Sequence, residues 1–169
     1  TKKYNNSSEK RNYIPSKNLY LNINKEEVAK NFSKSLSIDS VMKFTIPKSV
    51  LYRSDLMILE MIKENNKNNW NRPIYFAVTV PSDNYLGMDN FFSLEGMAYR
   101  LTPSLNPNDA EERIDCERMY DNMVNKFRWG GIENPDVYLD ENVLKMVLSH
   151  RQMFSYLING LIVESEEMK

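Results

Sequence analysis

The chain has 169 residues, 41% of them hydrophobic, enough to fill one core at the common size of a single domain. With 22 Lys+Arg against 23 Asp+Glu the formal net charge is -1, so no global field draws in a polyanion, and nucleic acid is not expected as a partner. A single cysteine, Cys116, excludes an internal disulfide and a multi-cysteine zinc site and leaves the redox compartment open.

No run approaches the roughly eighteen apolar residues that a spanning helix requires, and no signal peptide opens the chain. Thr1 as a first residue leads us to expect a piece of something longer. Residues 1–18, rich in Lys, Asn and Ser, have almost nothing to bury and read as a flexible lead-in. "NLYLNIN" alternates Leu19, Leu21 and Ile23 with polar neighbours, a half-buried strand, and "KEEVAKNFSK" follows as two or three helical turns. "VMKFTIP" sets Met42, Phe44 and Ile46 against Val41, Lys43 and Thr45, with Pro47 closing the strand.

From Ser54 the period changes to helical. Ser54 or Asp55 is placed to cap, Leu56, Leu59 and Met61 or Ile62 share a side, and the asparagines of "ENNKNN" end the helix. "RPIYFAVTV" is nearly continuous in its apolarity, as expected of an interior strand covered on both faces, with Pro73 where a donor is dispensable. "PSDNYLGMDNFF" reads as a turn and a short helix, and "LEGMAYRLTP" as a strand with Met97, Tyr99 and Leu101 on one face. Two longer helices close the chain. Asp115 caps a run through Met119, Tyr120, Met123, Val124 and Phe127 that ends at "WGG". Asp140 caps a seam of Val143, Val147, His150, Phe154, Leu157 and Leu161.

These elements predict an α/β fold: a small mixed or parallel sheet of about four strands with flanking helices, ending in a C-terminal helical hairpin. The expected divisions are a lead-in over 1–18, an α/β domain over 19–139, and a C-terminal helix over 140–169 packing on it.

Chemistry-bearing residues are sparse. His150, the only histidine, falls on the seam of the last helix, where a buried, hydrogen-bonded role is expected over a metal or triad role. Asp140 and Glu141 suit the positive end of a helix without any catalysis. Cys116, between Asp115 and Glu117, has no neighbour that favours its thiolate. "WGG" follows a helix and lacks the spacing of a dinucleotide loop. Trp70 and Tyr85 flank a strand end and are the aromatics expected to be exposed. Arg72 is suited to clamp an anion or to pair with Glu95 or Asp55. "DSV" at Asp39–Val41 resembles a short acceptor sequon of some bacterial O-glycosylation systems.

Four blocks, "NNWNRPIYFAVTV", "YLGMDNFFSLEGMAYRLTP", "RIDCERMYDNMVNKFRWGGI" and "VYLDENVLKMVLSHRQMFSYLINGLI", carry a resemblance in order and spacing. Over Val41 to Ile162 the chain resembles the C-terminal soluble region of the bacterial protein O-mannosyltransferase-like polytopic membrane proteins, C-type glycosyltransferases. The matching positions are Trp70, Arg72, Pro73, Tyr75, Tyr85, Gly87, Glu95, Gly96, Tyr99, Arg100, Tyr120, Asp121, Trp129, Gly130, Gly131, Tyr138 and Asp140, and the resemblance gives them no role. It implies a parent whose N-terminal membrane bundle carries the catalytic acid and handles a lipid-linked sugar. The soluble tail would lie on the periplasmic side of the inner membrane, partnered by its own transmembrane domain, and helical repeats often follow. No catalytic residue carries over, because the acid belongs to a part outside this sequence.

The expected function is thus an accessory, non-catalytic extracytoplasmic domain that positions an acceptor protein or supports the assembly. A carbohydrate- or peptide-binding module and a free-standing α/β protein are the alternatives. No cofactor and no metal are expected. If a ligand binds, the strand end is the expected place, through Trp70, Arg72, Asp83, Asn84 and Tyr85.

Overall fold

The computed structural model describes residues 16–32, 36–106 and 113–167, with the backbone of residues 2–3 and 10–11. The lead-in expected over 1–18 therefore lies mostly outside the described residues. Within it, β1 (Lys2–Lys3) and β2 (Lys10–Arg11) pair antiparallel. The chain divides into two compact units, Thr1–Asn71 with Ser82–Asp89, and Arg72–Pro81 with Asn90–Lys169.

In the first unit β3 (Asn18–Asn22) and β4 (Val41–Thr45) form an antiparallel ladder from Asn18↔Thr45 to Asn22↔Val41. Strand alternation sets its faces: Met42, Phe44 and Ile46 are buried, and Val41, Lys43 and Thr45 are exposed, as the sequence predicts. Between the strands, α1 (Lys25–Val28) is capped by the Asn24 side chain and runs into a single 3-10 turn, Ala29–Asn31.

Helix α2 (Arg53–Lys67) begins earlier than a cap at Ser54 or Asp55 implies. Asp55 lies inside the first turn, and its Oδ2 accepts from the Tyr52 backbone N–H at 2.8 Å, an acid reaching back over the helix start. The inward face follows from this register: Asp55, Ile62 and Asn65 are buried, so of the expected side Ile62 turns inward in place of Met61, Leu59 is half-buried and Leu56 is exposed. The asparagine run does end the helix. Asn69 and Trp70 both take left-handed backbone, with φ of 54° and 56°.

In the second unit β5 (Tyr75–Ala77), β6 (Phe92–Leu94) and β7 (Ala98–Leu101) form an antiparallel sheet in the order β5-β7-β6. α3 (Cys116–Tyr120), capped by Asp115, passes into a π-helical turn, Asp121–Lys126, where the Phe127 N–H donates to Asn122 O at 2.9 Å. α4 (Glu141–Glu167) starts on Asp140, whose Oδ1 accepts from the Val143 N–H at 2.8 Å. Cys116 lies against Gly160 at one end and the Phe127 ring 6.2 Å from that of His150 at the other, so the two helices run antiparallel and the expected hairpin forms. Leu94, Cys116, Met119, Met123, Met153 and Leu157 are buried together as its core, with methionine filling much of the space.

The α/β class agrees with the sequence. The strand pairing differs, because among the described residues every ladder is antiparallel and none joins four strands. Helix-length spacing between strands suggested crossovers, but the α1 connection returns to the strand it left, which needs no crossover. "RPIYFAVTV" is an edge strand of three residues, and β7 is the interior one. β6 straddles two stretches that read otherwise, Phe92 closing the expected short helix and Leu94 opening the single expected strand "LEGMAYRLTP", and Gly96, at φ 128°, turns the chain there into a hairpin. Gly130 and Gly131 have positive φ but lie beyond the helix end, which is at Phe127. Along α4, Met153 takes the buried position beside Leu157, and Leu161 is exposed.

Candidate functional site

The first unit places Asp83, Asn84 and Tyr85 in a 3-10 turn, Ser82–Tyr85, which Leu86 and Gly87 close with φ of 56° and 78°. Asp83 is exposed, and Asn84 and Tyr85 are half-buried. Below the turn lies a polar group the sequence did not announce. Lys48 Nζ donates to Asp55 Oδ1 at 2.8 Å and to Asn84 Oδ1 at 3.4 Å, and the Asp55 side chain is 2% exposed. The lysine and the Tyr52 N–H together hold the Asp55 carboxyl below its ordinary pKa, against the opposing effect of burial. Lys48 therefore anchors Asn84 to the start of α2. The only sequence sign was an acid in a first helical turn.

Since the folded pKa of Asp55 is depressed, its contribution to stability is present above the unfolded value near 3.8 and lost as pH falls through the folded value. We expect Asp55→Asn to cost about 1–3 kcal/mol at neutral pH in denaturant unfolding, the scale of hydrogen bonds to a charged group. The gap to the parent chain should close in acid. A gap that is independent of pH would show that the carboxylate charge contributes nothing.

Trp70, expected to be exposed, is 1% exposed, and its Nε1–H donates to Asn66 Oδ1 at 2.9 Å. A flat ligand cannot stack on it in this state. Arg72 belongs to the second unit and is exposed. The five expected ligand residues thus fall in two units, with Asp83, Asn84 and Tyr85 together in one turn.

In the second unit the buried carboxylate is Glu95. It accepts from the Tyr75 hydroxyl at 2.7 Å and from Arg100 at 3.4 Å, with Arg118 Nε at 3.9 Å, while Asn122 donates to its backbone carbonyl at 2.7 Å. Burial first, and Glu95 second, push the Tyr75 phenol up to about 12, so it stays a proton donor to that carboxylate at neutral pH. This group joins β5, β6–β7 and the helical hairpin. It satisfies a buried charge. Cys116 is buried, and its thiol is pushed up to about 12, chiefly by that burial and next by Glu164, so thiolate chemistry at neutral pH is not favoured.

His150 is half-buried, with Nδ1 2.7 Å from Met146 O and its ring edge-on to Trp129 at 5.4 Å. It is hydrogen-bonded as expected and less buried than expected. Among the described residues no group of three His, Cys, Asp or Glu is placed to hold a metal ion, and no helix is long and apolar enough to cross a membrane.

The family described as TMEM260-associated domain 2 matches residues 1–118. The match includes the first forty residues, which the resemblance in sequence left out, and stops within α3. No protein of curated function and no solved structure matches the chain.

Proposed function

The chain belongs to the TMEM260-associated domain 2 family, and from that premise we propose that it is an accessory, non-catalytic domain of a membrane-embedded, protein O-mannosyltransferase-like glycosyltransferase. In this reading it lies on the periplasmic side of the inner membrane, beside its own transmembrane domain, and positions the acceptor polypeptide or supports the assembly. The family match carries the proposal. The local chemistry supports it, because Asp55, Glu95, Asp115 and Asp140 are engaged in ion pairs and helix caps. The exposed apolar residues near the two ends of α4, Leu144 and Leu148 in one patch and Ile158 and Ile162 in another, offer surface for attachment to the rest of the parent. Burial of Trp70 weighs against the carbohydrate-binding alternative.

In-frame removal of residues 1–169 from the parent enzyme tests the proposal. Glycosyl transfer to a short synthetic peptide is expected to persist, while transfer to a protein acceptor falls by about tenfold or more, the scale of one lost docking interaction. Turnover of a lipid-linked sugar by the chain alone, or undiminished protein glycosylation without it, would refute the assignment.

A further inference from the structure

The two edges of the second unit's sheet are treated differently. On β6 the outward groups of Leu94 are both used: its N–H donates to Arg113 O at 2.8 Å and its C=O accepts from Asp115 N–H at 3.1 Å, in the parallel bridge to Ile114. On β5 the ladder to β7 continues through Ile74 O, which accepts from Leu101 N–H at 2.9 Å, and Val78 N–H, which donates to Met97 O at 3.2 Å. Antiparallel pairing uses alternate residues, so Ile74, Phe76 and Val78 face β7, and the main-chain groups of Tyr75 and Ala77 face away from it. Ala77 O is taken by the Val80 N–H at 2.9 Å. The N–H and C=O of Tyr75 and the N–H of Ala77 have no partner among the described residues. Tyr75 is 46% exposed, and Ala77 is exposed as well.

We propose that the outer edge of β5 is a strand-addition site that takes an extended segment of another polypeptide, main chain to main chain, along Tyr75–Ala77. An extended backbone is the ligand chemistry that presents alternating donors and acceptors at this spacing. Such an edge is commonly blunted by charge, proline or a covering segment, and among the described residues of this strand Arg72 and Pro73, ahead of its first paired residue, are the ones of that kind. In the two-fold register that sets Ala77 opposite Tyr75, pairing of β5 with itself would ask the occupied Ala77 carbonyl to accept again, and pairing in any other register is told apart by its dependence on the chain's own concentration. The Tyr75 hydroxyl on Glu95 ties its side chain to the sheet and leaves its outward main-chain groups uncovered by it.

The inference rests on the accessory-domain reading only in naming the segment, which would be the acceptor polypeptide of the glycosyltransferase. Backbone pairing tolerates many sequences, so an unrelated unfolded chain serves as the probe. Amide-resolved hydrogen exchange of the full chain is measured with and without reduced, carboxymethylated lactalbumin, and with polyproline of similar length, which has no N–H to give. The Tyr75 and Ala77 amides are expected to slow by at least about tenfold with the unfolded protein and to stay unchanged with polyproline. Ala77→Pro, which removes an outward N–H and leaves the inward ladder groups, is expected to abolish the slowing at Tyr75. If that variant does not fold, the polyproline comparison decides. No slowing at saturating unfolded protein, equal slowing by polyproline, or slowing that follows the chain's own concentration would each overturn the site. Strand addition seen here together with a parent enzyme indifferent to removal of the domain would overturn the acceptor reading and leave the edge intact.

Discussion

Replacing Trp70 with alanine is expected to destabilise the chain by about 3–5 kcal/mol, the range for deleting a large buried aromatic. The indole is 1% exposed and its N–H is bonded to Asn66, so truncation opens a cavity and leaves the Asn66 carbonyl without its donor. The strain at this position would remain. Trp70 has φ 56°, a region that L-residues enter only when the surroundings hold them there, and alanine keeps that cost while losing the packing that offsets it. Denaturant unfolding followed by far-UV circular dichroism measures the change. The same variant separates two roles, because a surface platform for a sugar ring would leave the midpoint where it was. A shift within about 0.5 kcal/mol, the usual range for surface changes, would remove Trp70 from the core.

Gly87→Ala is the second large effect. A Cβ on Gly87 would lie 2.1 Å from the backbone oxygen of Thr45 and 3.1 Å from its carbonyl carbon, so β4 or the turn must move. The residue also has φ 78°, where an added side chain costs about 1–2 kcal/mol before any clash. We expect more than about 3 kcal/mol in total, with Gly130→Ala as the control. Gly130 has φ 63° and nothing within 4 Å of its Cβ position, so only the backbone cost, about 1–2 kcal/mol, should appear. Equal losses for the two would mean that the approach to Thr45 is not a constraint.

These two positions show why the candidate site was only partly legible beforehand. The turn residues "PSDNYLG" announced a tight reversal, and Leu86 and Gly87 with positive φ are that reversal. Nothing in "WNRP" announced that its tryptophan faces inward, because a residue flanking a strand end has no periodic neighbours from which to infer a face. Lys48 was equally silent. Its partners Asp55 and Asn84 lie in other elements, and no local pattern encodes such an ion pair. Glu95 is a matching position and a candidate partner of Arg72 in the sequence, and its bonds to Tyr75 and Arg100 depend on β5 and β7 becoming neighbours.

By itself the sequence determined what is local: the alternation of β4, the caps at Asp115 and Asp140, and the end of α2 in its asparagines. Those features follow from side-chain periodicity and from backbone groups satisfied within a few residues. Tertiary structure alone decided which strands pair, that the ladders among the described residues are antiparallel, and that β5 is an edge. An apolar run looks the same whether its second neighbour is a strand or solvent, since hydrophobicity reports burial of side chains and says nothing about which main-chain groups find partners.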